Sequence, residues 1–142
     1  MKSNEKRLFL ENTLSQQLIM FYIVGNAAFT IFYVNSSDIN YRLGTFIMLN
    51  IVLSLFAFLM AVRQKVYQAT WGYIGIGIAV FQFARLFWIP EEIVNPVRLL
   101  LVLLLAVTAV SALTGSIICV KRSRERQNYI IDNNIDMASL QK

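Results

Sequence analysis

Histidine is missing from this sequence altogether, and cysteine occurs once, as Cys119. Without imidazole there is no haem or copper ligation through His, no His proton relay and no catalytic triad that needs one. A single thiol closes no intrachain disulfide and builds no Cys-based metal cluster. Charge is also scarce: Asp, Glu, Lys and Arg make up 15% of the chain, against 57% hydrophobic residues. No Asp or Glu falls inside an apolar stretch, so there is no obvious acidic site for proton or sodium coupling and no carboxylate pair for acid–base work. Gly-rich phosphate loops, zinc motifs and carbonyl-type selectivity filters are likewise missing. These absences argue against an enzyme and against a metal or cofactor, and no catalytic or metal-binding residue is assigned.

What the sequence does have is hydrocarbon, in four runs: 18–34, 43–62, 71–89 and 99–120. A soluble domain of this size keeps much of its surface in water and could not hide so much apolar area. Crossing a bilayer core takes about 20 helical residues, with a lower limit near ~17. All four runs qualify, the first only just. The expected fold is therefore all-α: a polytopic membrane protein, a four-transmembrane-helix bundle with short loops. It divides into an N-terminal segment 1–17, a transmembrane domain 18–120 and a tail 121–142.

Boundary residues refine the ends. Thr13 and Gln16 have capping-box spacing before the first run. Pro90 stops the third run, and Asn95 before Pro96 reads as the cap of the fourth. Trp71 and Trp88 stand about 25 Å apart along a helix, the spacing of two interfacial belts. The fourth helix is expected to run on toward Gln127, with Ile131, Ile135 and Met137 giving a weak apolar face beyond it.

Basic residues set the orientation. Lys2, Lys6 and Arg7 precede the first run, Arg63 and Lys65 follow the second, and Lys121, Arg122, Arg124, Arg126 and Lys142 follow the fourth. The other two loops carry Arg42 and Arg98 beside Asp38, Glu91 and Glu92. The positive-inside rule thus places both termini and the middle loop in the cytoplasm of a multi-pass cell-membrane protein. A cleaved signal peptide is the competing reading of the first run, but the run continues past Gly25 and Ala27 to Val34, longer than a signal core. Asn35-Ser36-Ser37 matches a glycosylation sequon yet sits at a helix end, and it reads as a turn.

Polar residues inside the runs are the candidate site. Counted at helical rise, Asn26, Asn50 and Gln82 each lie about 10–12 Å below the Pro90-side end of their runs, with Arg85 about 6 Å inside. These four side chains share one layer, with Thr30 and Ser54 one turn away on their own helices. The fourth run offers only Leu100 to Leu105 at that level, so the first three are expected to face one another while the leucines face lipid. The reading taken is interhelical glue, worth about 0.6 kcal/mol per hydrogen bond. Arg85 is expected to snorkel to the surface or to pair with Glu91 or Glu92.

A second pattern is made of small residues. Thr108, Ala112 and Ser116, with Ser111 and Gly115 alongside, form a stripe in the fourth run. Gly75 and Ala79 pair in the third, near Gly72 and Gly77, and Ala57 and Ala61 pair in the second. Such stripes let helix backbones approach closely. Lys121 to Arg124 reads as a topology signal and Cys119 as an ordinary buried thiol.

The expected function is a small, non-catalytic integral membrane subunit or accessory protein of a larger membrane complex, acting through helix–helix packing. The alternative is a small homo-oligomeric transporter or channel that recognises a polar or anionic solute at the Arg85 layer. Membrane lipids and a larger membrane protein, or a second copy of the chain, are the expected partners. Nucleic acid is not one of them, because the cations sit where topology needs them.

Overall fold

The computed structural model describes residues 12–135, all of it helix, turn or loop. Four α-helices follow one another: α1 Thr13–Asn35, α2 Tyr41–Lys65, α3 Ala69–Ala84 and α4 Asn95–Asp132. A 3-10 turn, Arg85–Trp88, continues α3. The helices alternate in direction through short loops. The 36–40 and 89–94 loops mark the upper end, and Asn12, the 66–68 turn and Lys121 mark the lower end. Helices α1, α2 and α4 are long and apolar enough to cross a membrane, and α3 is shorter. This is the helical content of a membrane protein. The cations Lys2, Lys6, Arg7 and Lys142, and Met137, lie outside the described residues.

On α1, α3 and α4 buried positions recur every three or four residues, as helices need when they pack nearly side by side. On α1 they are Ser15, Ile19, Tyr22, Asn26 and Phe29. On α2 a strict seven-residue repeat carries Leu43, Asn50, Ala57 and Gln64 inward. Gly72, Gly75, Ala79 and Gln82 do the same on α3. On α4 the stripe starts at Leu101, Leu105 and Thr108 and continues through Ala112, Ser116 and Cys119 to Ser123. The longest helix, α4, lies against both α1 and α3, α2 lies against α1, and α2 and α3 touch over a smaller area.

Several boundaries differ from the sequence expectation, each for a local reason. Helix α1 starts at Thr13, so Thr13 is inside the helix and Asn12 precedes it. Asn12 spends its side chain elsewhere, toward the Gln64 carbonyl and the Arg122 guanidinium. Asn40 caps α2, its Oδ1 accepting from Leu43 N at 2.9 Å. Val94, not Asn95, is the cap of α4, and its carbonyl accepts from Val97 and Arg98. Helix α4 runs to Asp132, beyond Gln127. The α-helical part of the third run ends at Ala84, because Pro90 forces Ile89 into extended backbone and the intervening turn tightens to 3-10.

The small residues work inside the chain. Gly75 of α3 faces Ser116 of α4, and a Cβ there would stand 2.0 Å from Ser116 Oγ and 2.8 Å from Met60 Sδ. At Gly77, a Cβ would meet nothing within 4 Å. Ala79, Ala112, Ala57 and Met60 meet in one buried cluster with Ile19 and Tyr22. The glycine pair gives a matched test. Gly75→Ala is expected to lower stability by about 1–3 kcal/mol through overpacking, while Gly77→Ala should be neutral or gain up to ~1 kcal/mol in helix propensity. Unfolding of the two purified variants in detergent checks this. Equal behaviour would show that α3 and α4 do not meet at Gly75.

Candidate functional site

Arg85 is 3% exposed. It neither snorkels nor pairs with Glu91 or Glu92, contrary to the expectation from sequence. Arg85 stands three residues after Gln82 and so continues the inward stripe of α3, while Phe87 and Trp88 in the 3-10 turn point out, 89% and 65% exposed. Inside, the guanidinium meets three neutral amides from three helices. Nη1 donates to Asn26 Oδ1 at 3.2 Å and to Gln82 Oε1 at 3.0 Å, and Nη2 donates to Asn50 Oδ1 at 2.9 Å. Two aromatic faces stand over it, Phe29 with its centroid at 5.0 Å and Phe46 at 5.3 Å. Tyr33 stacks on Phe46 at 3.9 Å and closes the aromatic cap.

Each amide is held by further bonds. Asn26 Nδ2 donates to Ser54 Oγ at 3.3 Å, and the backbone carbonyl of Asn26 accepts from Thr30 Oγ1 at 2.8 Å. Asn50 Nδ2 donates one turn back to the Phe46 carbonyl at 2.8 Å. Gln82 Nε2 donates to Thr108 Oγ1 at 3.2 Å and approaches Asn26 Oδ1 at 3.5 Å. Thr108 in turn donates to the carbonyls of Leu104 and Leu105. The structure thus brings Asn26, Asn50, Gln82 and Arg85 together and adds Thr108 from α4, which sequence spacing assigns only to the packing stripe. Nor does the leucine run all face lipid. Leu101 and Leu105 are fully buried against Phe29, Ile89 and Ile93, while Leu100 and Leu103 point outward.

No carboxylate among the described residues lies within ion-pair distance of Arg85, whose polar contacts are amide oxygens. Taking a cation out of water costs several kcal/mol even after relaxation. Amide dipoles and ring faces return part of that. Among the described residues Arg85 is the one charged side chain that is buried. A partly open cavity of about 50 Å³ adjoins it, lined by Phe29, Tyr33, Phe46, Leu49, Arg85, Trp88 and Ile89.

A second polar cluster sits at the lower end and escapes the sequence analysis, where Gln64 counts as a loop residue. Gln64 is fully buried in the last turn of α2. Its Oε1 accepts from Ser15 Oγ at 2.5 Å, and its Nε2 donates to the Trp71 carbonyl at 3.0 Å and Ser116 Oγ at 3.3 Å. One side chain thereby ties α1, α3 and α4 to α2. Ser15 also donates to the Gly115 carbonyl at 2.8 Å, which places Gly115 of the stripe against α1. A signal for Gln64 is present in the sequence: it continues the sevenfold spacing of Leu43, Asn50 and Ala57.

No protein-family model, curated protein or solved structure matches this chain.

The Arg85 geometry has a direct consequence. A lysine ammonium is a point donor and cannot span three oxygens that a planar fork reaches at once. Arg85→Lys is expected to leave amide oxygens unpaired and lower unfolding free energy by about 1–3 kcal/mol, measured by denaturant titration in detergent. Wild-type stability for Arg85→Lys would mean that the guanidinium is not held by the three amides.

Proposed function

We propose that this chain is a four-span membrane protein, a four-helix bundle with both termini in the cytoplasm, and that it serves as a small non-catalytic accessory subunit of a larger membrane assembly. The third span is completed by the 3-10 turn. Sixteen α residues and four 3-10 residues rise about 32 Å, enough for a hydrocarbon core of ~30 Å. Arg63 and Lys65 at the lower end, with Lys121, Arg122, Arg124 and Arg126, support the cytoplasmic assignment of that end.

The observation that carries the subunit reading is the apolar plug between the two polar layers. Asn50 and Gln64 are about 21 Å apart along α2, and Ile19, Tyr22, Ala57, Met60, Ala79 and Ala112 fill the space between the layers, all buried. Apart from the Tyr22 hydroxyl the filling is apolar and close-packed, which weighs against a conduit through a single copy. The small-residue stripes are spent within the chain, so a partner would meet a different surface. Met48, Val52, Leu55, Leu59 and Val62 form an exposed apolar stripe along α2, the helix least enclosed by its neighbours. The transporter or channel reading keeps one observation in its favour, the unneutralised Arg85 with Asn26, Asn50 and Gln82 around it.

Two measurements test this proposal. In a Cys119→Ser background, a membrane-impermeant thiol reagent applied to intact cells should reach Ile39→Cys and Glu92→Cys but not Val66→Cys. All three native side chains are exposed, so access depends on side of membrane alone. Labelling only of Val66→Cys would invert the orientation. Isolation in mild detergent should recover a larger membrane protein in fixed ratio, and Leu55→Trp should reduce that recovery. A discrete homo-oligomer that carries solute in liposomes would replace the subunit reading with the transporter.

A further inference from the structure

Beyond the question of partners, the Arg85 layer has a chemistry of its own. Its guanidinium keeps N–H groups that the three amides do not take up. A guanidinium offers five N–H groups, and three are used on Asn26, Gln82 and Asn50. The Tyr22 hydroxyl, fully buried on α1 one turn below Asn26, has no hydrogen-bond partner. The acceptors present are all neutral amide or hydroxyl oxygens. Such a layer wants one more acceptor, and a negatively charged one.

The adjoining cavity defines what fits. The cavity is small, about 50 Å³, and above the ~10–15 Å³ that a single water needs. A carboxylate fits and a bulky headgroup does not. Its walls are Phe29, Tyr33, Phe46, Leu49, Trp88 and Ile89, with Arg85 the one charged side chain among them. Trp88 is largely exposed on the outer surface of the helices and Leu49 partly so. An apolar chain attached to the carboxylate would therefore leave along hydrocarbon. Arginine grips carboxylates with two parallel charge-assisted bonds, the strongest neutralisation available to a buried guanidinium.

We propose that the Arg85 cavity is a binding site for a single carboxylate, presented by an amphiphilic monocarboxylate of the fatty-acid class. Its head sits against Arg85, and its chain passes out between Trp88 and Leu49 into the membrane. The site neutralises Arg85 without help from any acidic side chain among the described residues. This holds whether the chain works alone or within an assembly.

The test uses the full-length protein in a neutral detergent, with thermal unfolding as the readout. Sodium decanoate should raise Tm in a saturable way, whereas decanol and ionic-strength-matched sodium chloride should not. Sodium acetate separates the sources: stabilisation by acetate at the same concentration as decanoate assigns the site to a free carboxylate solute, and stabilisation by decanoate alone assigns it to the amphiphile. Asn50→Asp supplies the control that does not remove the arginine. It places a carboxylate where an oxygen already stands 2.9 Å from Nη2. It should weaken the decanoate response at least tenfold in concentration. If neither acid shifts Tm in the wild-type protein, or if Asn50→Asp responds to decanoate as the wild type does, the site is not a carboxylate site.

Discussion

A guanidinium held inside apolar helices by three neutral amides is the constraint on which the upper half of this molecule depends. Arg85 cannot be buried cheaply, so the helices around it are committed to supplying oxygens at fixed places. Asn26 does so from α1, Asn50 from α2 and Gln82 from α3. Each of these amides is then oriented by another bond, from Asn26 to Ser54, from Asn50 to the Phe46 carbonyl and from Gln82 to Thr108 of α4. The result fixes rotation of all four helices relative to one another. Apolar packing between helices in lipid does not specify rotation well on its own, because side chains and lipid tails are equally apolar.

The lower end repeats the device without a charge. Gln64 plays the part of Arg85, reaching Ser15, Trp71 and Ser116 on the other three helices. Between the two polar layers the contacts are made by small and aliphatic residues and Tyr22, with Gly75 letting α3 approach Ser116 of α4. Polar layers at the two ends set register and rotation, and the close-packed middle supplies dispersion energy. A neutral amide suffices at the lower end, since hydrogen bonds alone register helices. The choice of a cation at the upper end therefore calls for a separate explanation, and a bound carboxylate provides one.

Much of this is legible in the sequence and some is not. Helix count and the grouping of Asn26, Asn50, Gln82 and Arg85 by depth follow from counting residues at ~1.5 Å rise. Depth says nothing about direction around the helix, however. That is why Arg85 reads as a surface anchor, although it stands three residues after Gln82 on the inward stripe of α3. Thr108 reads as part of the packing stripe because its hydroxyl can serve its own helix, and it does so at Leu104 while also accepting from Gln82. Gln64 escapes notice because hydropathy ends the second run at Val62, two residues before the buried pattern ends. Sevenfold spacing from Leu43 marks it where hydropathy does not.

The most direct test of the central claim is the coupling energy between Arg85 and Asn26. Unfolding free energies of the wild type, Asn26→Leu, Arg85→Leu and the double variant close a thermodynamic cycle. If Arg85 depends on the amide oxygen, Asn26→Leu costs much more in the wild-type background than beside Arg85→Leu. The coupling should then be about 1.5–3 kcal/mol, the worth of a hydrogen bond to a charged group. A coupling indistinguishable from zero would mean that Arg85 is satisfied by something other than the amide layer, and would contradict its role as the group that fixes the helices.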